Sequence, residues 1–124
     1  MKRLIAAGVL TVIIAIIHFS GTIYIKKIIN QSNSLLADCV NEYESNQNPE
    51  AKAEKLQKYW SDQENFLSIF AHHDNIDEIE RAIDSLAVYS STQNSEIFYE
   101  YSGAVKTLLH QLYEDNSFSM HSIL

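Results

Sequence analysis

One cysteine, one proline and three glycines stand in a chain of 124 residues, and each scarcity narrows the structure. With Cys39 alone, neither an intrachain disulfide nor a zinc-ribbon spacing is possible. It reads as small apolar filler on a helix, with an interchain disulfide as the alternative in an oxidising compartment. Between Lys27 and Pro49 there is no glycine or proline to stop a helix. Two-residue alternation is absent over any useful length before the last residues, which argues against a sheet. Catalytic signatures are also missing. There is no ordered Ser/His or Cys/His constellation, no phosphate-binding glycine loop and no metal motif of the H-E-x-x-H type. The expectation is a non-enzyme without a cofactor.

What the chain does have is a run without Asp, Glu, Lys or Arg from Leu4 to Ile25, LIAAGVLTVIIAIIHFSGTIYI. At about 1.5 Å per residue it is long enough for a hydrocarbon core of about 30 Å. A cleaved signal peptide has a shorter apolar region and a small-x-small site, for which Ser20/Thr22 is a weak match. Residues 1–27 therefore read as an uncleaved signal anchor. The amino terminus with Lys2 and Arg3 competes with Lys26 and Lys27 under the positive-inside rule. The short N-terminal tail and the acidic remainder favour N-inside, with the C-terminal domain extracytoplasmic on a single-pass cell-membrane protein. His18, inside the run, reads as a residue reaching the interface rather than as part of a proton path.

Charge divides the chain at the same place. Residues 1–27 carry four cations and no acid. The 97 residues that follow carry five cations against all sixteen acids, a formal charge of −11. Such a domain repels phosphate backbones, so nucleic acid is not an expected partner.

Beyond Lys27, apolar residues return at helical spacing. Ile28, Ser32, Leu35, Cys39 and Tyr43 continue the first helix as an amphipathic stripe. Asn48-Pro49-Glu50 reads as a helix start, with Asn48 the cap and Pro49 the first helical position. A second helix over about residues 49–72 carries Ala53, Leu56, Trp60, Gln63, Leu67 and Phe70 in a three-four alternation. Asn75 with Glu78 reads as the cap of a third helix through Ile76, Ile79, Ile83 and Leu86. Ser95 with Glu96 restarts a fourth, over residues 97–113 and on to about Asp115, with Phe98, Tyr101, Val105, Leu108 and Leu112 on a broad apolar face. Gly103 within it reads as a point of close helix approach. Residues 117–124 read as an extended tail. The fold class is thus all-α: an N-terminal transmembrane helix (residues 1–27) continuing into an antiparallel up-down bundle of about four helices (28–116).

Short connections make successive helices antiparallel neighbours. The His72–Asn75 turn and the C-terminal tail should therefore lie at the membrane-proximal end, near Lys26 and Lys27. His72, His73, Asp74, Asp77 and His121 would share that neighbourhood. Histidine is a common metal ligand and titrates near neutrality, so His72, His73 and Asp77 are the candidates for a metal or pH-responsive cluster. The simpler reading is a positively charged helix end followed by an acidic first turn.

The stretch KYWSDQENFLSIFAHHDNIDEIERAI, residues 58–83, carries Trp60 about a dozen residues before a histidine, then an acid-rich helix. With the N-terminal anchor and the ending Ser122-Ile123-Leu124, this resembles the Domain of Unknown Function 4363 family of short single-pass, membrane-anchored bacterial proteins. Trp60, His73, Asp77 and Glu78 are the matching positions, and nearly the whole chain is covered. The family has no established activity, so the resemblance implies an anchored helical domain and nothing finer.

The leading expectation is a non-catalytic interaction or scaffold domain at the membrane. It would bind a protein partner or a second copy through helix 97–113, with Trp60, Phe70, His73, Phe98, Tyr101 and Val105 as structural or contact residues. The alternative is an extracytoplasmic bundle that senses a small molecule, a metal or pH.

Overall fold

The computed structural model describes the backbone of residues 1–123 and the side chains of residues 1–117. Four helices follow one another: α1 (Lys2–Glu44), α2 (Pro49–Phe70), α3 (His73–Ser90) and α4 (Ser95–Ile123). Each packs on its chain neighbours and α4 closes back on α1, giving the up-down bundle with its ring complete.

Helix α1 is a single rod of 43 residues. Every residue from Met1 to Ile17 is exposed, whereas from Gly21 onward one face enters the core through Thr22, Ile25, Ile28, Ile29, Ser32, Leu35, Leu36 and Cys39. The helix is long and apolar enough to cross a membrane, and the apolar stretch that makes it so is almost entirely unburied. Packing starts at Gly21, so the bundle reaches several residues into the segment assigned to the anchor, ahead of the expected boundary at residue 28.

The turns have local causes. At the end of α1, Asn46 takes a positive φ of 55°. The N–H groups of Asn46 and Gln47 then return to the carbonyls of Tyr43 and Glu42. This is a Schellman stop, with asparagine in the left-handed position that glycine usually fills. Two residues later the side chain of Asn48 accepts from the Ala51 N–H at 3.3 Å and Pro49 opens α2, as expected.

Three expectations need correction. Helix α3 begins at His73 behind an extended Ala71-His72 pair, so Asn75 lies inside the first turn instead of capping it. Two residues suffice to reverse the chain here, which leaves no room for the longer loop. The C-terminal segment is also not extended, because α4 continues to Ile123. Residues 117–123 contain no glycine or proline to end it. Leu124, and the side chains of Phe118, Met120, His121 and Ile123, lie outside the described residues. The third correction concerns glycine. A methyl group built on Gly103 would meet nothing within 4 Å, whereas one on Gly21 would come 2.6 Å from Cε1 of Phe70. The close approach is at Gly21.

The core runs the length of the packed segment. Trp60, Phe98, Leu56, Leu67, Ile79, Ile83, Leu86, Val105 and Leu109 are fully buried or nearly so. At the distal end Tyr43 stacks on Phe98, with centroids 3.8 Å apart, and donates its hydroxyl to the Thr92 carbonyl. Tyr99 donates to the Glu44 carboxylate across the same end. Cys39 is buried in this core, and burial pushes its thiol up to about 11. It serves as the filler the sequence implied.

Two glycine substitutions should separate in sign. Gly103→Ala is expected to stabilise the protein by about 0.5–1 kcal/mol, since it adds helix propensity and meets no neighbour. Gly21→Ala should be net destabilising, because the Phe70 ring must leave its seat. Thermal and urea melts of the full chain in detergent check this, and the opposite order would contradict the packing.

Candidate functional site

At the end of the bundle where α2 turns into α3, the core stops short and leaves a cavity of about 490 Å³. All four helices contribute. Helix α1 supplies His18, Thr22 and Ile25, and the α2–α3 turn supplies the stretch Ile69–His72. Helix α3 adds Asn75, and α4 adds Leu112, Asp115 and Asn116. Helices α2 and α3 stop at their turn while α1 and α4 both run on past it. The space between them is what remains.

Several polar groups converge there. The Asn116 side-chain amide donates to the Thr22 carbonyl at 3.0 Å, tying α4 to α1. Within the unbroken helix that carbonyl also accepts from the backbone N–H four residues on, so the amide takes its second lone pair, while the Thr22 hydroxyl turns back to the His18 carbonyl at 3.0 Å. His18 Nε2 is shielded from solvent and has no hydrogen-bond partner among the described residues. An orphaned imidazole nitrogen at a cavity wall is costly unless something supplies its partner.

The expected gathering at this end is partly realised. His72 lines the cavity. His73 and Asp77 are exposed, lie outside the cavity lining, and belong to no set of three or more potential metal ligands among the described residues. Asn75 belongs to the turn expected at this end, whereas no sequence spacing joins His18, Asp115 and Asn116, which complete the cavity. The available signal was His18, the one imidazole in the apolar run, which sits four residues before a buried threonine. Of the other residues singled out, Trp60, Phe98 and Val105 are core. Tyr101 is half-buried and stacked on Tyr89 with centroids 5.4 Å apart, and Phe70 is half-buried over Gly21. The family model described as Domain of unknown function (DUF4363) matches residues 19–123.

The chain belongs to this family. The match begins two residues before Gly21, where burial on α1 begins, so it spans the bundle and the whole of the cavity except His18. No curated protein and no solved structure matches the chain.

A second polar feature lies between α2 and α3. Glu64 has one carboxyl oxygen shielded from solvent without a donor among the described residues. Burial first, then a hydrogen bond and the charge of Glu80, then the charges of Asp77 and Asp84, push it up to about 7. Two ionised carboxylates can only repel, so a proton on Glu64 supplies the missing donor.

This makes stability fall with rising pH. The folded value lies above the ordinary 4.5, so the contribution of protonated Glu64 is complete below about 4.5 and is lost as pH passes through about 7. Melting temperature should decline over that window in the native sequence. In Glu64→Gln it should decline less and be higher at pH 8. Identical pH profiles would place the sensitivity elsewhere.

Proposed function

We propose that this protein is a membrane-anchored, non-catalytic helical module that presents a rigid interaction surface close to the lipid. The observation that carries this reading is the continuity of α1. Its N-terminal part is exposed and apolar and its C-terminal part is core, with no linker between them. An exposed apolar surface of that extent has no counterpart on a freely soluble monomer and fits a lipid environment. A flexible linker would let the domain sample many orientations, whereas an unbroken helix holds it at one height and limits its tilt.

The contact surface is proposed to be the groove between α1 and α4, of about 510 Å³. Leu36, Ala37 and Val40 form one wall, and Tyr99, Gly103 and Lys106 the other. Helix 97–113 commits Phe98, Val105, Leu109 and Leu112 to the core, so only its outer strip is available to a partner or a second copy. Small residues on both walls, Ala37 and Gly103, leave room for another helix to approach.

Two measurements test this reading. Carbonate extraction and intact-cell proteolysis should find the chain in the membrane fraction with its acidic domain cleavable from outside. A photo-crosslinker at Ala37 or Gly103 in native membranes should give a discrete adduct, either a dimer or one partner. The same group at exposed Val88 on α3 should not. Equal crosslinking from both faces, or from neither, would remove the groove from the account.

A further inference from the structure

We propose that the cavity at the base of the bundle binds the headgroup of a phospholipid bearing a primary ammonium, entered from the bilayer. This rests on α1 being a membrane anchor. It goes beyond that reading by assigning a ligand to a site distinct from the α1–α4 groove.

Counting from Arg3, a hydrocarbon layer of about 30 Å takes up about 20 residues of helix and ends near Ile23. The bundle has already begun by then, because Gly21 and Thr22 are buried and Phe70 lies on Gly21. The base of the bundle is therefore lodged at headgroup level instead of standing clear of it. Two surface features agree. Ile69, on the cavity rim, is 73% exposed in a domain whose surface is otherwise strongly acidic. Tyr24 and Tyr113 are exposed at the same level, with Lys26 Nζ 5.4 Å from the centre of the Tyr113 ring. Tyrosine with lysine is the usual furnishing of a membrane interface.

The inner end of the cavity is apolar, closed by Ile25 and Leu112, and its rim carries Ile69 and Phe70. Among the described residues its polar lining contains no lysine or arginine, and its one carboxylate is Asp115. An anionic headgroup would set its charge against Asp115 with no lysine or arginine among the described lining residues to compensate. A primary ammonium instead has three N–H donors, for which Asp115 and the amide oxygens of Asn75 and Asn116 are acceptors. The attached phosphate supplies a partner for the orphaned His18 Nε2. A quaternary ammonium has no N–H to give and needs an aromatic cage, whereas among the described residues Phe70 is the one Phe, Tyr or Trp side chain lining this cavity. The volume falls within the range of small-molecule sites.

The test uses the full chain in vesicles containing equal parts of phosphatidylethanolamine, phosphatidylcholine and phosphatidylglycerol. Gentle detergent extraction and native mass spectrometry then read which lipid stays bound. One phosphatidylethanolamine per chain is expected, preferred by roughly tenfold, the scale of one charge-assisted hydrogen bond. Asp115→Asn should lose the preference, while Asp74→Asn, an exposed acid at the same end but outside the cavity, should keep it. Equal retention of the three lipids, or an unchanged preference in Asp115→Asn, would overturn the proposal. So would soluble phosphoethanolamine stabilising the lipid-free protein as much as the lipid does, since the ligand would then be a free amine. Carbonate extraction of the same samples separates the two readings. A chain outside the membrane fraction ends both, and a chain inside it without lipid preference ends only this one.

Discussion

Helix α1 passes from bare rod to packed core without a break, and the register of that rod determines where every other helix sits. Its buried residues, from Gly21 and Thr22 through Ile25, Ile28, Ile29 and Ser32 to Cys39, form one stripe that α2 and α4 flank. The antiparallel return of α2 then puts Phe70 against Gly21, where a side chain on α1 would collide with the ring. The return of α4 puts Asn116 against the Thr22 carbonyl. Both contacts fall within two adjacent residues of α1. They mark the level where burial on α1 begins.

The same level separates two electrostatic regimes. Lys26 and Lys27 end the basic N-terminal part, and the bundle beyond them carries a formal −11. Most of that charge is spread over solvated faces, where pairwise repulsion is weak. Between α2 and α3 it is not, and Glu64 holds a proton up to about neutrality because it is partly buried and, beyond that, because Glu80, Asp77 and Asp84 stand beside it. On the proposed anchored reading, an acidic domain on a basic collar would stand off from anionic lipid while its base is held at the surface.

Much of this architecture could be read from residue order. Asn48-Pro49 announced the start of α2 because a side-chain cap and a fixed φ are local properties. The three-four seams through Leu56, Trp60 and Leu67, and through Ile79, Ile83 and Leu86, proved to be core because amphipathic spacing records one buried face. What escaped was set by tertiary contact. Periodicity on the broad apolar face of α4 could not show that Gly103 faces outward, nor that Gly21, in a uniformly apolar stretch, meets Phe70. The Asn75 cap failed because Ala71 and His72 alone make the reversal. The cavity was half visible. The topology correctly carried His72 to the base, but His18, Asp115 and Asn116 come from helices separated by nearly the whole chain, and no spacing rule joins them.

The continuity of α1 can be measured directly. Spin labels at Ala7 and Ala37, both exposed, would lie on the same rod thirty residues apart in a Cys39→Ala background. An unbroken helix places them about 45 Å apart with a narrow distance distribution in double electron–electron resonance of the vesicle-bound protein. A broad distribution, or a mean well short of that length, would mean that the helix hinges between its bare and packed parts and would contradict the account.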